Sequence, residues 1–543
     1  MMDSRFFPER WPTRPETAVF VSGVTSMGLE ILAGRILAPE FGNSIYTWGG
    51  IIGVFLAALS LGYHRGGKRA ATNASHGRLV GVFLATALYV AGVVLLGDLV
   101  VQSTGVLPLP SQFASLPAIT LLFGPPTYLL GYVSPYAAEL AGGDVGATAG
   151  HVYAVGTVGS IVGAFATTYL LVPLLSVPQI GLVLGLSAVL AAATVAAPDL
   201  DGTAGLRVGV VALALVAATA TGGLGPGVGG DVVHAEQTAY QELRVVDRGD
   251  TRTLYLDGQP HSAMDLEDPT SHVFEYTRYF HASMLFTDEM DDVDRVLFVG
   301  GGGFTGPRIF HETYPNVTVD VVELDPAVVD AADEYFGIPD SPRMNVHVGG
   351  GRQYLAETNH TYDVVVLDAY RKDNVPFQLT TVEFMRLASE RLDEDGVLVA
   401  NVISAPSGPA SEFYRAEYKT MREVFPRVYS FPTAGGPVVQ NIEVVATKDD
   451  ALLTREELQA RSERRDVGVD LSSDLASYRS DEPTDDVPLL RDDRAPVDSL
   501  LDGTVGQRYV RVRANETNAT VGANATVGVD PAALRAPGAT ATA

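Results

Sequence analysis

Val296-Leu-Phe-Val-Gly-Gly-Gly-Gly-Phe-Thr-Gly306, followed by Val319-Asp-Val-Val-Glu-Leu-Asp325, decides how this chain is read. An apolar strand running into glycines lets the backbone approach a ligand that side chains would hold off. Glu323 closes the next strand about 20 residues on, where a carboxylate can accept hydrogen bonds from two adjacent ribose hydroxyls. The combination marks a nucleoside site. Gly301, Gly303 and Gly306 also satisfy GxGxxG, so taken alone the motif allows a dinucleotide dehydrogenase as well.

The neighbouring pattern narrows this. Strand-like runs near 295–300, 317–324, 344–348, 362–368, 396–403, 427–432 and 440–447 alternate with helical ones. That alternation predicts a doubly wound, mainly parallel, Rossmann-like α/β sheet. Ligands on such sheets bind beyond the carboxyl ends of the strands, where Gly300 to Gly303, Glu323, Gly349 to Gly351 and Asp368 all fall. Ahead of the sheet, Ala239–Asp247 and Arg252–Gly258 alternate apolar and polar residues around Arg248-Gly-Asp, which reads as a short β-hairpin. A helix-like run from about Pro269 to Leu285 follows. A hairpin in front, a third strand ending in glycines and a fourth ending in Asp368 favour an S-adenosyl-nucleoside transferase over a dehydrogenase.

The first 230 residues are of another kind. Of the 37 Lys and Arg and 64 Asp and Glu in the chain, nine and ten precede residue 231, so a net −26 of the total −27 belongs to the remainder. So acidic a half excludes a nucleic-acid partner, which needs a basic face for phosphates, and resembles the solvated surfaces of proteins adapted to high salt. No cysteine occurs, which rules out disulfides, thiol nucleophiles and cysteine metal sites, and the ten histidines show no HExxH-type spacing, so no metal is expected. Apolar runs near 17–37, 46–63, 79–99, 116–136, 152–175, 180–197 and 206–224 approach the roughly 20 residues that cross a bilayer. Arg5, Arg10 and Arg14 precede the first run and Arg65, Lys68, Arg69 and Arg78 fill the second loop, so the positive-inside rule puts the N-terminus in the cytoplasm. Seven crossings then leave the acidic half outside, where a nucleoside is scarce; Pro125-Pro126, Pro173 and Pro178 leave six or eight crossings open, and the side of the C-terminal half with them.

Glu30 and Arg35 stand within the first run, either as a substrate or proton path or as an internal structural pair. Glycines at spacings of three and four in Gly156-Thr-Val-Gly-Ser-Ile-Val-Gly163 predict close helix packing. The expected organisation is a cytoplasmic segment (1–16), a transmembrane bundle of about seven helices (17–224), the hairpin and helix (231–290), the Rossmann-like domain (291–502) and a disordered tail (503–543). Sequons at Asn515, Asn518 and Asn524 lie in that tail, but Asn73-Ala-Ser matches the same pattern in the loop assigned to the cytoplasm.

Residues from about 237 to 405 resemble the spermidine synthase family, the polyamine aminopropyltransferases. Glu30-Ile-Leu-Ala-Gly-Arg35 and Gly150-His-Val-Tyr-Ala-Val-Gly-Thr-Val-Gly-Ser160 resemble the multi-span region found fused to such domains, and Asp492-Asp-Arg-Ala-Pro-Val-Asp498 extends the likeness. The resemblance implies decarboxylated S-adenosylmethionine as co-substrate with no prosthetic group, an amine acceptor, association into homo-oligomers, and a place in the cell membrane. It implies that Gln241, Gly300, Gly301, Gly302, Glu323 and Gly351 hold the nucleoside, with Asp325 beside them, and that Asp368 takes the proton from the attacking amine. Tyr276, His281 and Asp373 are the candidates for binding the acceptor, although Tyr276 and His281 are accounted for equally well by packing.

Several positions depart from the family. Its GGGDG is Gly300 to Gly303 followed by Phe304, its Asp-Gly is Gly350-Gly351, its second gate aspartate is Arg371, and its Tyr-His-Glu is Glu275-Tyr276-Thr277. A polyamine needs carboxylates for its distal ammonium groups and a base for its nucleophilic nitrogen, and two of those carboxylates are gone. Three functions follow: a membrane-bound aminopropyltransferase, a non-catalytic nucleoside or amine sensor coupled to transport, or a methyltransferase acting on a substrate that is not a polyamine.

Overall fold

A computed structural model describes residues 13–42, 44–105, 107, 109–197, 202–221, 229–238, 240–372, 375–505 and 507–514. Within the described residues, seven helices are long and apolar enough to cross a membrane: Arg14–Phe41, Ile45–Asn73, His76–Gly105, Gln112–Ala141, Gly146–Leu174, Val177–Ala196 and Gly202–Ala220. Pro125 and Pro126 sit inside the helical stretch Leu116–Leu130 without dividing the fourth run into two crossings. The first helix packs on the fifth through glycines. A Cβ on Gly159 would stand 2.1 Å from the Phe20 carbonyl oxygen, one on Gly163 2.5 Å from that of Val24, and one on Gly23 2.3 Å from that of Gly156. Backbone meets backbone there, the close packing expected from the glycine spacing. No ion pair joins Glu30 to Arg35 among the described residues; Arg35 lies instead within electrostatic reach of Asp257 and Glu242.

After the helices comes an antiparallel sheet of four strands: β1 (Asp231–Gln237), β2 (Glu242–Arg248), β3 (Thr251–Leu256) and β4 (Gln259–Asp265), in that order. The expected hairpin is β2–β3, and the structure adds a strand on each edge. The addition has a packing reason, since Leu243, Val245, Leu254, Leu256 and Met264 form one apolar face against Val328, Ala331 and Phe336. The helix-like run is broken into short turns, 3-10 at Glu275–Arg278 and Ser283–Leu285 around a helical turn at Tyr279–Ala282.

The main sheet contains β5 (Arg295–Val299), β6 (Thr318–Glu323), β7 (Met344–Val348), β8 (Tyr362–Leu367), β9 (Leu392–Ser404), β10 (Arg427–Pro432) and β11 (Val439–Thr447) in the order β10-β11-β9-β8-β5-β6-β7. The five strands from β9 to β7 are parallel and β11 runs against β9 and β10. All seven expected strands are present. Val296, Phe298, Val319, Val321, Val364 and Val366 fill one face, and Leu297, Val299, Val322, Val365 and Leu367 the other. Burial on both faces is why these strands read as continuous apolar runs. Asp320 is the exception on β6: fully buried, it accepts from Arg295 Nε (2.9 Å), Asn345 Nδ2 (2.8 Å) and the Tyr362 hydroxyl (2.9 Å), tying four neighbouring strands together.

The start of the expected tail is ordered. Asp502–Thr504 forms a turn, and β12 (Tyr509–Val510) pairs in parallel with Val439 and Gln440 of β11. Composition favoured a tail because few of these residues are apolar, but here the segment is held by strand pairing and by aromatic contacts rather than by a core of its own. The sequons at Asn515, Asn518 and Asn524 lie outside the described residues.

Candidate active site

Strand order reverses on either side of β5, between β6 and β8, which makes its carboxyl end the switch point where ligands bind on such sheets. Gly300 leaves β5 with φ +98°, and a Cβ there would stand 2.4 Å from the Asp368 carbonyl oxygen. Only glycine allows the loops after β5 and β8 to pass so closely. Gly302 also takes a positive φ, and Phe304 (φ 55°) turns the chain into helix Thr305–Thr313.

Glu323 folds back on this turn. Its Oε2 accepts from the N–H of Gly301 (2.9 Å) and Gly302 (3.3 Å), and its Oε1 from the N–H of Asp325 (3.0 Å). Burial pushes the carboxyl up while those three N–H donors pull it down, leaving it above the ordinary value. The acid and the glycines are thus a single unit. Gly351 begins helix Gly351–Glu357, and a Cβ on it would lie 2.3 Å from Val299 Cγ1, so this loop also packs against the end of β5.

Asp368 follows β8 directly, and its N–H donates to the Val299 carbonyl (2.9 Å). Its Oδ1 accepts from Asn401 Nδ2 (2.8 Å). Burial first of all, with Glu323 in support, raises its carboxyl to about 6 against the lowering effects of Asn401 and of the Arg511 charge. A carboxylate so poised is half ionised close to neutrality and able to take a proton from an ammonium group. Tyr276 is buried beside it, its hydroxyl donating to the His261 carbonyl (3.2 Å) and its ring within electrostatic reach of Asp368.

Two expected site residues are taken up by helix capping and by packing. Asp325 caps helix Pro326–Phe336: Oδ1 accepts from Ala327 N–H (3.1 Å) and Oδ2 from the Thr238 hydroxyl (2.6 Å), so each oxygen of the buried carboxylate has a structural partner. His281 is a packing residue, stacked on Phe310 (5.3 Å) and bonded through Nδ1 to the Tyr314 hydroxyl (3.0 Å), because its turn points that face into the core. Burial keeps its imidazole neutral, well below the usual histidine range. Asp373 lies outside the described residues. Gln241 is on the rim, where its Oε1 accepts from Arg371 Nη1 (3.3 Å), and the same nitrogen pairs with Asp257 (3.0 Å). The cation that replaces the second gate aspartate is therefore tied down to the small sheet.

At Gly303 the N–H donates to Ser262 Oγ (2.9 Å), and a Cβ would come within 2.8 Å of Ser262 Cβ. Packing of β4 against the turn thus leaves no room for a side chain where the family has aspartate.

The composition of β9 and β11 holds the residues not foreseen. Asn401 and Asn441 are buried in β9 and β11, bonded to one another (Nδ2 of Asn441 to Oδ1 of Asn401, 2.8 Å). Glu443 lies directly across from Asn401 in the β9–β11 register, fully buried with neither carboxyl oxygen hydrogen-bonded. Burial, reinforced by Asp368, pushes its carboxyl well above the ordinary value. Polar residues in the middle of the runs Leu398–Ile403 and Val439–Val445 were the available signal, since a buried polar group inside a strand calls for a partner.

The fold is a doubly wound α/β sheet whose switch point carries a glycine turn, Glu323 and Asp368. The family model described as the spermine/spermidine synthase domain matches residues 273–441. A polyamine aminopropyltransferase of Vibrio vulnificus is 30% identical over 240 residues, covering 43% of this chain and 77% of that protein. A probable polyamine aminopropyl transferase of Bifidobacterium longum is 30% identical over 236 residues, 41% of this chain and 52% of that one. A human eEF1A lysine and N-terminal methyltransferase is 29% identical over 146 residues, 25% of this chain and 20% of its own length. The chain belongs to the spermine/spermidine synthase family.

The raised Asp368 carboxyl carries a stability consequence. Its pKa rises from 3.8 to about 6 on folding, so the folded state binds the proton more tightly than the unfolded one. Its contribution favours folding below about 4 and is lost as the pH climbs to 6. Asp368→Asn removes the ionisation, and we expect the variant to be more stable than wild type by about 1–3 kcal/mol at pH 8 and level with it at pH 3.5. Thermal midpoints of the solubilised chain at the two values test this; equal midpoints at pH 8 contradict the raised carboxyl.

Proposed function

We propose that this protein is a membrane-embedded aminopropyltransferase. Decarboxylated S-adenosylmethionine binds with its ribose at Glu323 and its sulfonium over the Gly300–Gly302 turn. The neutral nitrogen of an amine acceptor attacks the aminopropyl carbon next to sulfur. The N–C bond forms as the C–S bond breaks, its electron pair goes to sulfur, methylthioadenosine leaves, and the proton lost by nitrogen passes to Asp368. The observation that carries the reading is the Asp368 carboxylate, raised to about 6 by burial and held by Asn401 within the same crevice as the Glu323-capped glycine turn. Its pKa lies close enough to neutrality to accept the proton without staying permanently protonated.

A methyltransferase reading has one observation in its favour: Arg371 and Gly303 remove carboxylates that a polyamine would use, and Gly303 is sterically closed to replacement. Both readings share the nucleoside and differ in the group transferred. Incubation of the full-length protein with decarboxylated S-adenosylmethionine or S-adenosylmethionine and a panel of amines separates them. We expect methylthioadenosine and an aminopropylated amine from the first donor, with turnover falling by about 10²–10⁴ in Asp368→Asn. Methyl transfer from the second donor alone, or equal rates in both proteins, contradicts the proposal.

The seven long apolar helices among the described residues support a membrane location, and seven crossings would put the N-terminus and the catalytic domain on opposite sides. With Arg65, Lys68, Arg69 and Arg78 on the cytoplasmic side, the positive-inside rule then puts the domain on the outer face. The absence of cysteine makes a direct test simple. In intact cells, an impermeant thiol reagent is expected to label Ser473→Cys in the catalytic domain and to spare Ser75→Cys in the basic loop. The reverse pattern would put the domain in the cytoplasm.

A further inference from the structure

Residues 507–514 lie beyond the segment matched by the family model and have no part in the reaction as written above, yet they are fastened to its centre. Tyr509 and Val510 pair with β11. The Glu275 N–H donates to the Val512 carbonyl (3.0 Å) and the Ala514 N–H to that of Val273 (3.1 Å). The strap thus joins β11 to the segment carrying Tyr276.

A directed string of hydrogen bonds runs from it to Asp368. Arg511 Nε donates to the Tyr509 hydroxyl oxygen (3.3 Å), and the Tyr509 hydroxyl donates to Asn441 Oδ1 (2.7 Å). Asn441 Nδ2 then donates to Asn401 Oδ1 (2.8 Å), and Asn401 Nδ2 to Asp368 Oδ1 (2.8 Å). A donor-only guanidinium stands at one end and an acceptor-only carboxylate at the other, so both amide orientations in between are determined. Arg511 is itself held, its guanidinium carbon 4.8 Å from the Phe274 ring centre and 4.7 Å from that of Tyr509. Asn401 and Asn441 are only 3% and 1% exposed, so water does not replace a bond lost between them.

We propose that Tyr509 is a positioning residue for Asp368, acting through Asn441 and Asn401 to fix Oδ1 and leave Oδ2 as the oxygen that meets the incoming amine. The reaction it serves is the one proposed above; the string itself does not depend on that reading. The charged and titratable groups that act on Asp368 are Glu323 at the end of β6, Glu443 on β11, Tyr276 from the preceding segment, and Tyr509 and Arg511 from the strap. Of these, the strap reaches Asp368 through Asn401, whose donation lowers the carboxyl against burial. Loosening the string should therefore let the carboxyl rise.

Tyr509→Phe in the full-length protein removes one hydroxyl and keeps the ring under Arg511. Infrared difference spectra against Asp368→Asn follow the Asp368 carboxyl through pH without any substrate. The midpoint is expected to move up by about half a unit to one unit. The acid limb of kcat/KM for the amine should move with it, while nucleoside affinity and thermal midpoint stay near wild type. An unmoved carboxyl midpoint overturns the proposal, as does a fall in thermal midpoint with no change in either pH midpoint. Should Tyr509→Phe not fold, Asn441→Ala breaks the same string at its centre and is held to the same two outcomes. A moved carboxyl in a protein that makes no aminopropylated product upholds the positioning role and refutes the reaction assigned to the site.

Discussion

The crevice depends on how closely three backbone segments approach at the carboxyl end of β5. Gly300 admits the Asp368 carbonyl where a Cβ would stand 2.4 Å away, Gly351 admits the Val299 side chain, and the Glu323 carboxylate fastens the N–H groups of Gly301 and Gly302. None of these contacts tolerates a side chain on the glycine concerned. Because β6, β5 and β8 are adjacent and parallel, the approach brings Glu323 and Asp368 to the same end of the sheet, on either side of the glycine turn.

Much of this was legible in the sequence, for a physical reason. Strands buried on both faces must be apolar throughout, so Val296–Val299, Val319–Val322 and Val364–Leu367 announce themselves, and the polar residues at their ends become conspicuous. Seven apolar runs of membrane length are equally hard to mistake. What escaped was decided by tertiary partners. Asp325 sits two residues after Glu323 and resembles a second ligand until the bond from Thr238, on the small sheet, claims its second oxygen. His281 differs from a site residue only in the direction its turn faces. Residues 507–514 are too polar to predict as ordered, and their order comes from pairing with β11 and from stacking of Arg511 on Phe274, contacts made by residues more than 60 positions away.

The departures from the family form a consistent group. Gly303 is closed to a side chain by Ser262, Arg371 is bound to Asp257 and Gln241, and Glu443 brings an unpartnered carboxyl to the far side of Asn401. Gly303 and Arg371 stand where the family resemblance expects carboxylates, while a buried carboxyl lies on β11. Arg35 of the first long helix lies within electrostatic reach of Asp257, the residue that holds Arg371, so the helical half and the small sheet share a charge cluster.

The central claim is that the glycine turn and Glu323 form a working nucleoside site. Calorimetric titration of the solubilised full-length protein with decarboxylated S-adenosylmethionine, S-adenosylmethionine and methylthioadenosine tests it most directly. Saturable binding of decarboxylated S-adenosylmethionine and methylthioadenosine, lost in Glu323→Ala, is the result this account predicts. Absence of binding by all three, or binding that Glu323→Ala leaves unchanged, would contradict it.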